Sequence, residues 1–186
     1  MRFDRRHHFF VDLLCLKAKT TSEQATALLR QGLRETLYGR LRLVMNFYLP
    51  FRLFRMTIEN GNREKELLMA IDAVTGGLDL YLFDEVPRAQ EFTRIQTSRY
   101  APSLLGEAQA LKLLGERLKR EAYLKGFFKL GELEVRGEFV SGFSWPYWVG
   151  IYERDERARL EVLDAVRGRL EGAKLREVVT DWFGKQ

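Results

Sequence analysis

Cysteine occurs once in this 186-residue chain, as Cys15, so an intramolecular disulfide is excluded. It lies in the apolar run Phe9 to Leu16, where a thiol packs as a small hydrophobe; a reactive thiol would need a basic, exposed setting. Histidine occurs only as the adjacent pair His7 and His8. Neighbours on a strand point to opposite faces, so the pair cannot share a metal, and neither a metal nor any other cofactor is expected. Ser-His-Asp and Cys-His catalysis lack a well-placed base for the same reason. No apolar run reaches the ~18 residues of a membrane helix. The basic start, Arg2, Arg5 and Arg6, leads into an apolar stretch broken by Asp12 and Lys17, without the small-residue cleavage site of a signal peptide. A reduced, cytoplasmic protein with no membrane partner is expected. Gly76-Gly77 lacks the lysine and spacing of a phosphate loop, and Gly142-Phe143-Ser144-Trp145-Pro146 lacks the second glycine of a nucleophile elbow.

What is present is a globular composition, 46% hydrophobic and 31% charged, sufficient for a substantial core. The net charge of +5 is uneven: residues 1–57 hold eleven Lys or Arg against four Asp or Glu. A polyanion would be drawn to that part.

The clearest stretch is Leu41 to Met56, where Leu41, Leu43, Met45, Phe47, Leu49, Phe51 and Leu53 alternate with Arg42, Val44, Asn46, Tyr48, Pro50 and Arg52. This is the pattern of a strand with one buried face, and Pro50 within it marks an edge, bulge or bend. Phe9 to Leu16 reads as a preceding strand. Thr20 with Glu23 forms a capping-box signature that opens one helix running to Gly39. Asn60-Gly61 signals a hairpin, Leu67 to Val74 a returning strand, Thr75-Gly76-Gly77 a turn, and Leu78 to Phe83 a further strand. Periodicity fails from Asp84 to Pro102, which reads as a linker. Ser103 to Lys125 reads as a second helix ending at Gly126, followed by an arm over Phe127 to Gly137. A second long strand, Phe139 to Tyr152, returns as Arg159 to Val166, and Leu175, Val178, Val179, Trp182 and Phe183 have the spacing of a short amphipathic helix.

The two long strands repeat one another. Pro50 aligns with Pro146, Val44 with Val140 and Phe47 with Phe143; Asp72, Ala73, Val74 and Gly76 then match Asp164, Ala165, Val166 and Gly168. A turn glycine that needs positive φ is hard to reproduce by chance within an apolar pattern. The expected architecture is therefore α+β: two tandem units, residues 1–86 and 103–186 joined by 87–102, each a helix packed on an antiparallel sheet. Ile71-Asp72-Ala73-Val74-Thr75-Gly76 and Leu163-Asp164-Ala165-Val166-Arg167-Gly168 resemble the strand-turn signature of PepSY-type domains, which are broadly cystatin-like. That resemblance implies a non-catalytic module that binds or restrains a protein partner.

Three functions compete on the residues alone. Trp148 and Tyr152 share one strand face with Gly142, Ser144 and Gly150, a surface for a protein or peptide, for a homodimer partner, or for packing against the other unit. Arg42, Tyr48 and Arg52 line the even face of the first long strand and could bind nucleic acid, unless the arginines pair with Glu64, Glu66 or Asp72 on the returning strand. Asp72 and Asp164 could divide acid and base roles in an enzyme, against the simpler reading that each accepts hydrogen bonds from its own turn. The leading expectation is a non-enzymatic module recognising a protein or peptide through a sheet surface.

Overall fold

The computed structural model describes residues 10–61, 63–78, 80–124, 133–155 and 157–184. His7, His8, Gly126 and the start of the arm expected after it lie outside the described residues. The chain is mixed α and β. Its strands are β1 (Val11–Leu16), β2 (Arg40–Asn60), β3 (Arg63–Asp72), β4 (Tyr81–Phe83), β5 (Phe92–Thr97), β6 (Leu133–Arg154) and β7 (Arg157–Asp164). Its helices are α1 (Ser22–Arg30), α2 (Arg34–Tyr38), α3 (Glu107–Leu124) and α4 (Ala173–Gly184). The strands form a sheet in the order β4-β3-β2-β6-β1-β5, with β7 also on β6. The β1-β5, β2-β3, β3-β4 and β6-β7 pairs are antiparallel, whereas Cys15 of β1 meets Ser144 of β6 in parallel. No helix of the described residues is long and apolar enough to cross a membrane.

Contacts divide the chain into two compact units that are not consecutive in sequence. One draws on the described residues of Met1–Leu49, Gln90–Ala101 and Ser144–Gln186; the other is Pro50–Ala89 with Pro102–Phe143. Each long strand gives half its length to each unit. This differs from a division at 87–102, and the expected linker contains β5, fully paired with β1 from Val11↔Thr97 to Leu16↔Phe92. The β-formers Phe92, Thr93, Ile95 and Thr97 carried that signal amid polar neighbours.

In the first unit α1 packs on β6 and β7, burying Ala25 and Leu29 with Leu41, Tyr152 and Leu163. The capping box falls one residue later than Thr20 and Glu23. Thr21 and Gln24 form it, each side chain bonded to the other's backbone N–H. Thr20 is committed elsewhere, its N–H donating to the Ala165 carbonyl. The expected single helix breaks at Gly32, φ +73°, into α1 and α2. On the other face of the sheet Trp182 of α4 meets Phe47 edge-on at 5.0 Å. Arg176 of α4 grips the buried Glu161 of β7 with Nη1 at 3.1 and 3.0 Å from the two carboxylate oxygens.

In the second unit α3 covers the β2-β3 hairpin. Ala110, Leu114 and Leu118 pack with Leu105 against Phe54, Met56, Met69 and Ile71. Burial of each large side chain contributes about 1.5–3 kcal/mol, more than helix propensity could supply here. Phe54 and Met56 are even-numbered residues of β2, so its expected solvent face is buried in this half too. Helix α3 begins at Glu107 rather than Ser103, because the N–H groups of Leu104 and Leu105 both donate to the Ala73 carbonyl.

Each of the two glycine turns is organised by a fully buried aspartate. Asp72 Oδ1 accepts from the N–H groups of Val74, Thr75 and Gly76 and from the Thr75 hydroxyl; Oδ2 accepts from Leu78 N–H at 3.0 Å. Asp164 Oδ1 accepts from Val166 and Arg167 N–H, each at 2.8 Å, and from Trp145 Nε1 at 3.0 Å. Gly76 and Gly168 have φ of +66° and +67°. The N–H of Ala73 donates to the Pro50 carbonyl and that of Ala165 to the Pro146 carbonyl. Pro146 stands where β6 passes from β1 at Ser144 to β7 at Tyr147, a point on the ladder where a missing N–H is tolerated.

The two aspartates differ in one respect. Asp164 Oδ2 is buried without a partner among the described residues, whereas Asp72 uses both oxygens. Asp72→Asn must set an amide N–H₂ against a donor and should cost about 1–3 kcal/mol more than Asp164→Asn, where the amide can take the unbonded position. Urea unfolding of the two variants checks the ordering.

Candidate functional site

Of the uses expected for the aromatic face, packing against the first part of the chain is the one the fold makes of it. Tyr152 is fully buried beneath α1, its hydroxyl donating to the Leu29 carbonyl at 2.5 Å. Half-buried Trp148 donates from Nε1 to the Thr20 carbonyl at 2.9 Å. Gly150 lets the helix approach so closely, because a Cβ there would come within 3.0 Å of Leu29 Cδ1. The groove anticipated beside small residues is therefore filled at this point by α1. Burial pushes the Tyr152 phenol up to about 12, with the nearby Arg34 opposing the shift.

The basic stripe of β2 is spent on internal contacts. Arg42 Nε donates to Glu153 at 2.8 Å. Arg52 Nε donates to the Leu105 carbonyl at 3.0 Å, with Glu107 3.8 Å from its guanidinium. Tyr48 is buried, its phenol raised by desolvation, and its hydroxyl accepts from Asn46 Nδ2. The Tyr48 ring is therefore not an open stacking surface beside the two arginines. Nor do the arginines use Glu64, Glu66 or Asp72, since the hairpin register sets Glu64 against Glu59, Glu66 against Thr57 and Arg52 against Ile71, while Asp72 serves its turn. Asp72 and Asp164 likewise act as turn acceptors, Asp72 through both oxygens and Asp164 through Oδ1. Cys15 is buried, and desolvation pushes its thiol up to about 12, as fits a packed rather than reactive cysteine.

A different cluster is available. Between α2 and the β6-β7 hairpin lies a pocket of about 740 Å³ lined by Leu37, Tyr38, Arg154, Asp155, Arg157 and Arg159, among others. The hairpin closes tightly, Arg154 pairing with Arg157, with Asp155 at φ +48° between them. Helix α2 is brought down on it by Gly39, where a Cβ would collide with the Glu153 carbonyl and Arg154 Cβ. That approach sets the Tyr38 ring 4.5 Å beneath the Arg159 guanidinium and the Thr36 carbonyl 2.9 Å from Arg154 Nη1. Arg154 also sits 3.7 Å from Asp155, an exposed pair worth little in water. Arg157 has no hydrogen bond or ion pair among the described residues. Among the described residues the lining thus carries three guanidinium groups against one carboxylate, and guanidinium forks match carboxylate and phosphate oxygens.

Three arginines within six residues around a two-residue turn were visible in sequence. Their pocket was not, because α2 and Gly39 create it. No group of His, Cys, Asp and Glu fit to hold a metal occurs among the described residues. Comparison with protein-family models, curated proteins and solved structures found no match.

The buried phenol makes an alkaline prediction. Its folded pKa is raised, so the neutral ring's contribution is complete below the ordinary tyrosine value of ~10 and declines as pH climbs toward the folded one. Tyr152→Phe should cost about 1–3 kcal/mol at pH 7 by leaving the Leu29 carbonyl unpaired. It should also flatten the loss of stability above pH 10, read by denaturant melts across that range.

Proposed function

We propose that the protein is a non-enzymatic binding module for an acidic protein or peptide partner, engaged at the arginine-lined tip of the β6-β7 hairpin. The observation that carries this reading is the excess positive charge of the pocket: among the described residues of its lining, Arg154, Arg157 and Arg159 face one exposed aspartate. The carboxylates and aromatic residues that offered other functions in sequence are buried or half-buried and bonded inside the fold, Asp72 and Asp164 to their own turns. Two of the three arginines are also held in place, by the Tyr38 ring and the Thr36 carbonyl, which lowers the entropy lost on binding.

The same reading takes the chain as a tandem duplication of a PepSY-like, cystatin-like unit. Supporting it are the paired bonds Ala73 to Pro50 and Ala165 to Pro146, and the Ala73 and Ala165 carbonyls, which accept from Leu104 and Leu105 and from Lys19 and Thr20 respectively. On this view each copy's helix rests on the hairpin of the other copy.

Titration with hexaglutamate at low salt tests the function. Binding should weaken at least about tenfold in Arg154→Ala/Arg157→Ala, with the melting curve little changed, as these side chains are exposed. Equal binding by the double variant would remove the pocket from consideration. Binding of mixed oligonucleotides, falling with log salt by about 0.7 to 0.9 per phosphate and lost in the same variant, would favour nucleic acid as the partner.

A further inference from the structure

The arginine pocket is one of two cavities that meet at β7. The second, of about 540 Å³, lies on the α4 side and includes Ile151, Ala158, Leu160 and Phe183 in its lining. Ala158 and Arg159 line both cavities. Alternation nonetheless gives each strand face its own residues: Arg157 and Arg159 project to the face of Tyr38, whereas Ala158 and Leu160 project to the face of α4. The two cavities therefore flank one strand, an arginine-rich one on one face and a more apolar one on the other.

The backbone between them is open. At the far end of β7 the Val162 carbonyl accepts from Glu171 N–H, and Asp164 N–H donates to the Arg169 carbonyl. These bonds fix which residues turn their peptide groups away from β6. Counting back by twos, Ala158 and Leu160 present N–H and C=O outward, and neither has a partner on that side among the described residues.

Resting on the reading of the arginine tip as a binding site, we propose that the partner docks as an extended strand added to the outer edge of β7 at Arg157–Leu160. Its sequence alternates: acidic side chains point to Arg157 and Arg159, and apolar side chains between them enter the groove under Phe183. Main-chain bonds to Ala158 and Leu160 supply the register, and the two cavities read opposite faces of the added strand. Arginines on an edge strand also serve as guards against unwanted pairing. A guard, however, requires neither a preformed arginine pocket on one face nor an apolar groove on the other.

The probes are two blocked hexapeptides of one composition, alternating Glu-Val-Glu-Val-Glu-Val and the block Glu-Glu-Glu-Val-Val-Val, titrated into the full chain at low salt. The alternating peptide should bind at least about tenfold more tightly, and Ala158→Pro should weaken it by about tenfold. Proline there removes only an outward N–H, and edge positions tolerate it. Amide exchange gives a reading that needs no variant: the Ala158 and Leu160 amides should gain protection when the alternating peptide binds. Equal affinity for both peptides, lost in Arg154→Ala/Arg157→Ala and with no amide protection, overturns strand addition and leaves the arginine site standing. No binding of either peptide, nor of hexaglutamate, overturns both.

Discussion

A buried carboxylate that must find donors organises each half of the fold. Asp72 cannot be desolvated at acceptable cost unless its oxygens accept hydrogen bonds, and the nearest supply is the backbone of the next few residues. Drawing those N–H groups inward curls the chain through Gly76 at positive φ, which a β-carbon would resist. Ala73 is thereby turned so that its N–H reaches the Pro50 carbonyl while its own carbonyl receives Leu104 and Leu105. One residue thus fastens a strand end, a long strand and the approach to α3. Asp164 does the same through Ala165, Pro146 and the Lys19-Thr20 approach to α1. The positions of both main helices follow from these junctions before any side-chain packing is counted.

This is also why the turns were readable in sequence and the helix placements were not. Aspartate, alanine, glycine and proline act over a few residues, and local chemistry leaves a local signature. Period-two alternation located β2 and β6, and helical spacing located α3 and α4. The choice of hairpin for each helix is a long-range matter. Leu29 reaches Gly150 and Leu114 joins Phe54 with no local pattern to announce either contact. The covering groups were hidden on similar grounds: nothing local announces that α1 lies across Trp148 and Tyr152, or that Glu153 and the Leu105 carbonyl meet Arg42 and Arg52.

Sorting residues by whether the fold already uses them reverses the ranking of candidates. Asp72, Asp164, Tyr48, Trp148 and Tyr152 stood out because they are chemically distinctive, and the fold recruits them for that reason. Buried polar groups must be satisfied, so hydroxyls and carboxylates with good internal partners have little capacity left for a ligand. Arg157 is unremarkable in sequence, yet among the described residues its donors are unused.

Positive charge at a hairpin tip is by itself an ordinary solvated feature, and on an edge strand it deters aggregation. What separates this tip from that background is order in the side chains. A guarding arginine acts through hydration and repulsion, and immobilising it brings no advantage, since a fixed rotamer forfeits entropy. Here Arg159 is laid on Tyr38, Arg154 is tied to Thr36, and Gly39 permits the close approach that makes both contacts. Arranging guanidinium groups before a ligand arrives lowers the entropy lost when an oxyanion binds, whereas the same arrangement is of no use to a residue whose role is to remain hydrated. The proposed recognition at the hairpin tip therefore rests on the preorganisation of the arginines more than on their number.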